Sequence, residues 1–405
     1  MIDYKTLFRE KLQTLKAEHR YRTFANLERL VGEAPYALWH KGPEEIKKVI
    51  VWCSNDYLGM SHHPEVVGAF LEAAQKYGAG SGGTRNISGT HSNHVDLEKT
   101  VAHLHQKEAG LVFGSGYAAN EASLSALGEG LSDCVILSDE KIHASMIQGI
   151  RHSRCEKYVF KHNDVEDLEK KLASLDINRP KIIAFVSVYS MDGDIAPIHK
   201  IAALSKKYNA FTYLDEVHAM GIYGDKGQGV AGSLGLSDQI DIIQGNFAKA
   251  YGVVGGYITG PYEIVDYVRS YASGFIFTTS LPPAVAAAAE KSIEVLREDS
   301  SCREKLWENV SYLKAKLQET SLPVIGSESH IVPVVVGDAH LCRLITKELL
   351  ETHGIYVQPI NYPTVPRGQE RLRLTITPAH TFKMVDDLVA ALEQEWGKLS
   401  LAKVA

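Results

Sequence analysis

The chain has 405 residues, of which 45% are hydrophobic and 23% are charged, a composition that is ordinary for globular proteins and excludes a mainly disordered chain. Its 43 basic and 49 acidic residues give a net charge of −6, which argues against a basic nucleic-acid-binding surface. No apolar run reaches the roughly 18 residues that span a membrane. Because the first residues are charged and lack an apolar signal region, we expect a cytoplasmic protein.

The first predicted element is a polar, helix-rich arm over residues 1–48. A short apolar run at residues 50–54 follows and ends in a turn signal at residues 55–59. Residues 78–89 then contain a dense glycine cluster. Such a cluster marks backbone that approaches another group closely or takes positive φ values.

Seven short apolar runs alternate with helical patterns in the middle of the chain. The runs are rich in β-branched residues and do not alternate with polar ones, as is typical of strands buried on both faces. Strand–helix alternation of this kind predicts an α/β fold with a mainly parallel seven-stranded sheet and helices on both faces. The runs are residues 110–113, 134–137, 158–160, 182–188, 210–214, 240–244 and 256–259, and the helical patterns between them are 95–107, 118–127, 143–152, 164–174 and 198–208.

A second, smaller unit is predicted beyond an alanine-rich helix that Pro282 and Pro283 open. Its pattern gives helices near residues 302–319, 339–353 and 382–397, and strands near 331–336 and 371–376. The predicted division is therefore an N-terminal arm (1–48), a large domain (49–290) and a small α+β domain (291–405).

The cysteines and histidines do not form a metal or disulfide pattern. The five cysteines are widely spaced without Cys-x-x-Cys, and the 17 histidines include no His-Glu-x-x-His. We therefore expect free thiols and no structural or catalytic metal.

Chemistry-bearing residues are sought after the strands, because ligands bind beyond the carboxyl ends of strands in open α/β sheets. The segment 114–117, Gly-Ser-Gly-Tyr, opens a helix whose free N–H groups suit a phosphate. A turn without a ligand and a nucleotide site are alternatives, although the third glycine of the dinucleotide pattern is missing. His143 stands where a helix begins, a position where packing or capping is the ordinary role.

Asp215 and Lys249 follow two further predicted strands. The segment 215–218, Asp-Glu-Val-His, resembles a helicase box, but the chain has no matching phosphate loop, so we exclude that function. Lys249 lies among small residues and glycines, which is unusual for a lysine. The ordinary role of a lysine is that of a solvated surface charge. Together, a phosphate cradle, a histidine, a strand-end aspartate and a shielded lysine are what pyridoxal 5'-phosphate requires.

Longer motifs identify a family. Residues 55–59, 80–90, 189–194, 215–219 and 358–368 resemble those of the α-oxoamine synthases, which are fold-type I pyridoxal-phosphate enzymes. The similarity runs from residue 20 to residue 373. It implies a homodimer with shared active sites, in which Lys249 forms the Schiff base and transfers protons, and His143 stacks on the cofactor ring. The other cofactor-binding residues that it implies are Asp215 at the pyridine nitrogen, His218 and Ser190 near the ring hydroxyl, Gly116, Tyr117 and Asn246 at the phosphate, and Thr278 and Thr279 reaching the phosphate from the other subunit.

Within this family, the sequence is most similar to members that condense glycine with succinyl-CoA and release CoA and carbon dioxide to give 5-aminolevulinate. A succinyl tail ends in a carboxylate, so its pocket needs a cation and polar partners. The substrate-binding residues that the resemblance implies are Arg373 and Asn55 for glycine, Arg22 with Thr84 and Asn86 for the succinyl group, Thr364 on a closing segment, and Ser138 and Lys157 near CoA.

Three positions depart from the family pattern, which commonly has Thr, Gly and Glu where this chain has Asn246, Ala248 and Val186. Asn246 can still bind phosphate, whereas Ala248 requires a negative φ. Tetrapyrrole supply and secondary metabolism both remain open as roles. One alternative is a synthase with a different acyl-CoA, of the 8-amino-7-oxononanoate synthase or 2-amino-3-oxobutyrate CoA ligase type. Another is a non-catalytic partner subunit, against which the presence of Lys249 argues.

Overall fold

The computed structural model describes residues 2–398, and within them it contains fourteen α-helices and fourteen strands. The helices are α1 (Tyr4–Ala17), α2 (Pro64–Tyr77), α3 (Ser92–Leu104), α4 (Gly116–Gly130), α5 (Ala144–His152), α6 (Val165–Ala173), α7 (Ile198–Lys207), α8 (Gly229–Ser233), α9 (Tyr262–Tyr271), α10 (Ser273–Ile276), α11 (Pro283–Glu298), α12 (Ser301–Gln318), α13 (Ala339–His353) and α14 (Phe382–Lys398). The strands are β1 (Asn26–Glu28), β2 (Tyr36–His40), β3 (Ile46–Val51), β4 (Ala109–Phe113), β5 (Val135–Asp139), β6 (Glu156–Phe160), β7 (Lys181–Val186), β8 (Phe211–Asp215), β9 (Ile242–Asn246), β10 (Gly256–Gly260), β11 (Ile331–Val335), β12 (Ile355–Tyr356), β13 (Pro359–Ile360) and β14 (Arg371–Thr375). Every helix among these residues is too short or too polar to span a bilayer.

The described residues fall into two compact units. The central unit comprises Leu58–Tyr189 and Asp194–Arg303. The terminal unit comprises the chain up to Tyr57, the short segment Ser190–Gly193, and the chain from Glu304 onward. The three-part division at residues 48 and 290 stays a prediction.

The central unit contains the predicted seven-stranded sheet, in the order β4-β10-β9-β8-β7-β5-β6. Strand β10 is antiparallel to both of its neighbours, and the other strands run parallel to one another. All residues of β5, β7, β9 and β10 are buried, as expected for a sheet that is covered on both faces. The carboxyl ends of β5, β8 and β9 therefore bring Ser138, Asp215 and Asn246 to one edge of the sheet.

The terminal unit contains two smaller sheets, β1-β2-β3-β12 and β11-β14-β13. Ala37 and Trp39 of β2 pack with Val49 and Val51 of β3 in one apolar cluster. The expectation of a helix-rich arm is therefore correct for α1 but wrong for residues 26–28 and 36–40, which form strands. Strand β2 alternates half-buried and buried residues, a period-two pattern that a five-residue segment shows only weakly.

Candidate active site

Asp215 ends β8 and is only 3% exposed. Its Oδ1 accepts a hydrogen bond from the Val217 N–H at 2.9 Å, and its Oδ2 accepts one from Asn120 Nδ2 at 2.8 Å. Burial raises the pKa of Asp215, and these two N–H donors oppose that shift because they favour the charged form. The result is a buried, doubly supported carboxylate that suits a protonated ring nitrogen.

His143 is the N-cap of α5, the capping role that its position in the sequence suggested. Its Nδ1 accepts a hydrogen bond from the Ser145 N–H at 3.2 Å and lies 2.7 Å from Ser145 Oγ. Burial lowers the pKa of His143, which favours a neutral ring. Because Nδ1 accepts the Ser145 N–H, the ring proton lies on Nε2. Tyr117 packs edge-on at 6.3 Å between ring centroids, so two of the predicted cofactor residues lie side by side.

Lys249 lies in the turn between β9 and β10 and is half-buried. Its charge acts on both Asp215 and His143, opposing the raised pKa of Asp215 and adding to the lowered pKa of His143. The turn is closed by a hydrogen bond from the Gly252 N–H to the Lys249 carbonyl at 2.9 Å. Gly252 has φ +70°, and a Cβ there would lie 2.1 Å from the Ser61 nitrogen, so only glycine fits. Three of the predicted residues therefore lie within electrostatic range of one another.

The departures from the family pattern are accommodated in different ways. Ala248 is exposed and lies outside the positive-φ positions of the described chain, so the backbone tolerates its methyl group. Val186 is buried in β7 and pairs in register with Asp215, which places an apolar side chain beside that carboxylate. Asn246 is 8% exposed, and its Oδ1 is buried without a hydrogen-bond partner. This orphaned amide oxygen leaves unused hydrogen-bonding capacity beside Gly116, where α4 begins.

The start of α4 is packed closely against β9 and β10. A Cβ on Gly116 would lie 3.0 Å from the Asn246 Cβ, and one on Gly256 would lie 2.6 Å from the Gly116 Cα. The Ser115 side chain caps the helix through the Ala118 N–H at 3.1 Å. Glycine is therefore needed where the first-turn N–H groups of α4 meet these strands, a geometry that suits a phosphate.

Arg373 in the terminal unit is buried on β14. Its Nη2 donates hydrogen bonds to Asn55 Oδ1 at 3.0 Å and to the Tyr57 hydroxyl. Its buried Nε has no hydrogen-bond partner. An arginine held in place on one side, with an unused N–H on the other, suits a carboxylate ligand.

Arg22 and Thr364, which are distant in sequence, also meet in the terminal unit. Arg22 Nη2 donates to Thr364 Oγ1 at 3.4 Å. Both residues line a cavity of about 800 Å³ between residues 19–25 and α13. The structure thus brings together the arginine that the resemblance assigned to the succinyl group and the threonine that it placed on a closing segment.

The remaining predicted residues occupy three further places. In the central unit, Thr84 Oγ1 donates to Asn86 Oδ1 at 2.7 Å, and Thr84 pairs in an isolated bridge with Thr279, next to Thr278. Ser138 on β5 and Lys157 on β6 lie on one face of the sheet, because Ile136 pairs with Lys157 two residues before Ser138. His218 is buried just beyond β8, and Ser190 belongs to the terminal unit.

An ion cluster follows β5, β6 and β7 in the central unit. His162 Nδ1 lies 3.0 Å from Asp139 Oδ1, and its Nε2 lies 2.6 Å from Asp194 Oδ2. Burial lowers the pKa of His162, but the hydrogen bonds to the two carboxylates outweigh it and raise the pKa to about 9. Asp139 directly follows Ser138, so this charged histidine fixes the strand end that carries a predicted CoA contact.

The raised pKa predicts a loss of stability in alkaline solution. The unfolded chain releases the His162 proton near its ordinary pKa of 6.5, whereas the folded chain retains it to about 9. The stabilisation is complete below pH 6.5 and is lost as pH rises through 9, with a maximum of about 3 kcal/mol. Urea unfolding at about pH 6 and about pH 10 measures the change in the free energy of unfolding between these pH values. His162→Gln should remove most of that change. An equal pH dependence in the variant would contradict this assignment.

Comparison with known proteins identifies the family. The model of "Aminotransferase class I and II" matches residues 47–392. The 5-aminolevulinate synthase of Bradyrhizobium diazoefficiens is 52% identical over 99% of this chain and 98% of its own length. The enzyme of the same name from Rhizobium meliloti is 52% identical over 99% of each chain. The chain belongs to the 5-aminolevulinate synthase family. This membership confirms the family that the sequence motifs indicated.

A solved structure supports the same conclusion for the fold. The Sphingomonas wittichii serine palmitoyltransferase superposes with a TM-score of 0.90 at 30% identity and covers 98% of each chain. The predicted fold-type I architecture is therefore confirmed. Members of the 5-aminolevulinate synthase family use pyridoxal phosphate, and the buried Asp215 carboxylate, the half-buried Lys249 and the closely packed helix start at Gly116 fit that group.

Sequence reasoning did not assign roles to Asn120, Ser145 or Tyr213. Asn120 Nδ2 bonds both Asp215 and Ser145, and the Tyr213 hydroxyl bonds Asn120 Oδ1. Asn120 lies among small residues of α4 and next to Glu121, so its sequence context does not mark it as functional.

Proposed function

We propose that this chain condenses glycine with succinyl-CoA and releases CoA and carbon dioxide, giving 5-aminolevulinate as a PLP-dependent acyltransferase. The observation that carries the proposal is the group of Lys249, Asp215 and His143 in the central unit. The charge of Lys249 acts on both of the other residues. A non-catalytic subunit has no use for this arrangement, whereas the reaction needs each part of it.

When bound, pyridoxal phosphate supplies an electron sink that stabilises negative charge on the α-carbon of glycine. Lys249 would hold the cofactor covalently, and its Nζ, once free, would remove the α-proton of glycine. Asp215 keeps a proton at the ring nitrogen because its two supporting N–H donors favour the carboxylate form. His143, as a neutral ring, would contact the cofactor without adding charge.

Arg373 binds and orients the glycine carboxylate in this proposal. Asn55 and Tyr57 hold one side of the guanidinium, and its buried Nε has an unused N–H for the substrate. After the glycine carbon has attacked the thioester carbonyl and CoA has left, the same carboxylate departs as carbon dioxide. Lys249 then returns a proton to the carbon from which it leaves.

Arg22 and Thr364 select the acyl donor. Their 3.4 Å contact at the 800 Å³ cavity joins a cation and a hydroxyl on segments far apart in the chain. This pair suits the terminal carboxylate of a succinyl group, whereas a long alkyl chain gains nothing from it. The family resemblance also assigns Thr84 and Asn86 to the succinyl group, and Ser138 and Lys157 to CoA.

A homodimer with shared sites is part of the same proposal, as is a cytoplasmic location. Phe277 is 80% exposed beside Thr278 and Thr279, and Ile87 is 77% exposed in the segment that bridges to Thr279. Large exposed apolar side chains around functional threonines favour burial by a second copy of the chain.

The acyl preference is tested with glycine and a panel of acyl-CoAs, the products being identified by mass. The wild-type chain should use succinyl-CoA best. Arg22→Leu should raise the KM for succinyl-CoA about thirtyfold, as expected for loss of a partly exposed charge-assisted contact. Arg29→Leu, on the same unit, is the matched control and should leave the KM unchanged.

Unchanged use of succinyl-CoA by Arg22→Leu would contradict the acyl assignment. Preference of the wild-type chain for a different donor would favour the alternative activities, those of the 8-amino-7-oxononanoate synthase and 2-amino-3-oxobutyrate CoA ligase types.

A further inference from the structure

Asn120 occupies the centre of a buried hydrogen-bond network in the central unit. It is 2% exposed and lies on α4. Its Nδ2 donates to Asp215 Oδ2 at 2.8 Å and to Ser145 Oγ at 3.1 Å. Its Oδ1 accepts from the Tyr213 hydroxyl at 3.0 Å. Both amide hydrogens and the amide oxygen therefore have partners.

The orientation of the Asn120 amide follows from these partners. Reversing it would place Oδ1 against the Asp215 carboxylate, where two acceptors repel, so the network fixes a single orientation. Ser145 Oγ accepts from Asn120 and donates to His143 Nδ1, which already receives the Ser145 N–H. The direction of every bond from Tyr213 to His143 is thereby determined, and His143 must carry its proton on Nε2.

We propose that Asn120 is a positioning residue for the cofactor, which supports the charged form of Asp215 directly and the Nε2-protonated tautomer of His143 through the Ser145 hydroxyl. The inference rests on the proposed function in assuming that pyridoxal phosphate lies against these two residues. In this proposal Asn120 touches neither substrate nor cofactor. It links Asp215 and His143, the two residues that would contact the cofactor. Helix α4, whose first turn suits the phosphate, thus also controls the groups at the ring.

The physical consequence of losing Asn120 follows from the donors to Asp215. Without the Asn120 N–H, Asp215 keeps one backbone donor in a fully buried site. Its charged form is then less favoured and the proton on the ring nitrogen is held less well. A carboxylate at position 120 is worse, because two like charges would then share a dry site.

The test measures cofactor binding and its spectrum, so it does not depend on turnover. Asn120→Ala should raise the dissociation constant of pyridoxal phosphate about tenfold, equivalent to about 1.4 kcal/mol. The midpoint of the pH titration of the bound cofactor's absorbance should also move. Asn120→Asp should have a larger effect, and Tyr213→Phe, which removes one hydroxyl, a smaller effect in the same direction.

Asn309→Ala is the matched control for general loss of a buried amide. Asn309 is fully buried in the terminal unit and donates to the carbonyls of Thr377 and His380 at 3.0 and 2.9 Å. Asn309→Ala should lower the thermal midpoint of unfolding without moving the midpoint of the pH titration of the bound cofactor's absorbance. An Asn120→Ala protein with wild-type affinity and an unmoved titration would overturn the proposal, as would an equal shift in Asn309→Ala.

If Asn120→Ala does not fold, Tyr213→Phe tests the proposal instead. An unchanged pH titration of the cofactor's absorbance in Tyr213→Phe would then overturn the proposal. Failure of the proposed function is a separate result. It would appear as wild-type chain that binds pyridoxal phosphate with the normal spectrum but forms no 5-aminolevulinate.

Discussion

Lys249→Ala should abolish formation of 5-aminolevulinate, reducing kcat by roughly 10⁴-fold or more, since proton transfer by a positioned base alone contributes roughly 10²–10⁴-fold. The variant should also lose the covalent attachment of the cofactor. Purified wild-type chain should be yellow, whereas the variant should lack the absorbance band of lysine-bound pyridoxal phosphate. Spectra and single-turnover rates measure both effects.

Lys226→Ala is the matched control for this prediction, because Lys226 is an exposed lysine of the same unit. It should keep both the colour and the rate. A colourless wild-type protein would contradict the assignment of Lys249, and so would a Lys249→Ala variant that retains the band.

Arg373→Leu should raise the KM for glycine about a hundredfold, because the substrate carboxylate would lose its paired charge in a buried site. Arg373 is 8% exposed, so water cannot easily replace the guanidinium. Arg373→Lys should recover only part of this loss, because an ammonium group does not reproduce the planar fork of donors. Steady-state kinetics with glycine as the varied substrate measures the change.

The KM for succinyl-CoA serves as the internal control and should change little in either variant. An equal increase in the KM values of both substrates would show that Arg373 stabilises the fold rather than binding glycine. An Arg373→Lys variant with wild-type kinetics would contradict the requirement for a guanidinium at this position.

The large sheet is predictable from sequence because its strands are apolar on both faces. Strand β7, for example, is buried at every residue, so its composition alone distinguishes it from a surface segment. Strand β2 is harder to predict, since only five residues carry its alternation and its partner β3 must be known first. Helix α2 was not predicted, although Pro64 stands in its first turn and marks its start.

The residues of the candidate site also differ in how readily the sequence predicts them. Lys249, Asp215 and His143 are found because each follows a strand or begins a helix, positions that already suggest ligands. Asn120 carries no such signal, because its importance depends on three partners contributed by α5 and β8. Arg22 and Thr364 needed the family resemblance, since nothing local links two residues that are so distant in the chain.

The central claim is tested most directly by carbon labelling of the product. The chain is incubated with succinyl-CoA and glycine labelled with carbon-13 either at the methylene or at the carboxyl carbon, and the product is identified by mass. The account predicts 5-aminolevulinate that retains the methylene label and loses the carboxyl label as carbon dioxide. A product that retains the carboxyl label, or no product from succinyl-CoA while another acyl-CoA reacts, would contradict it.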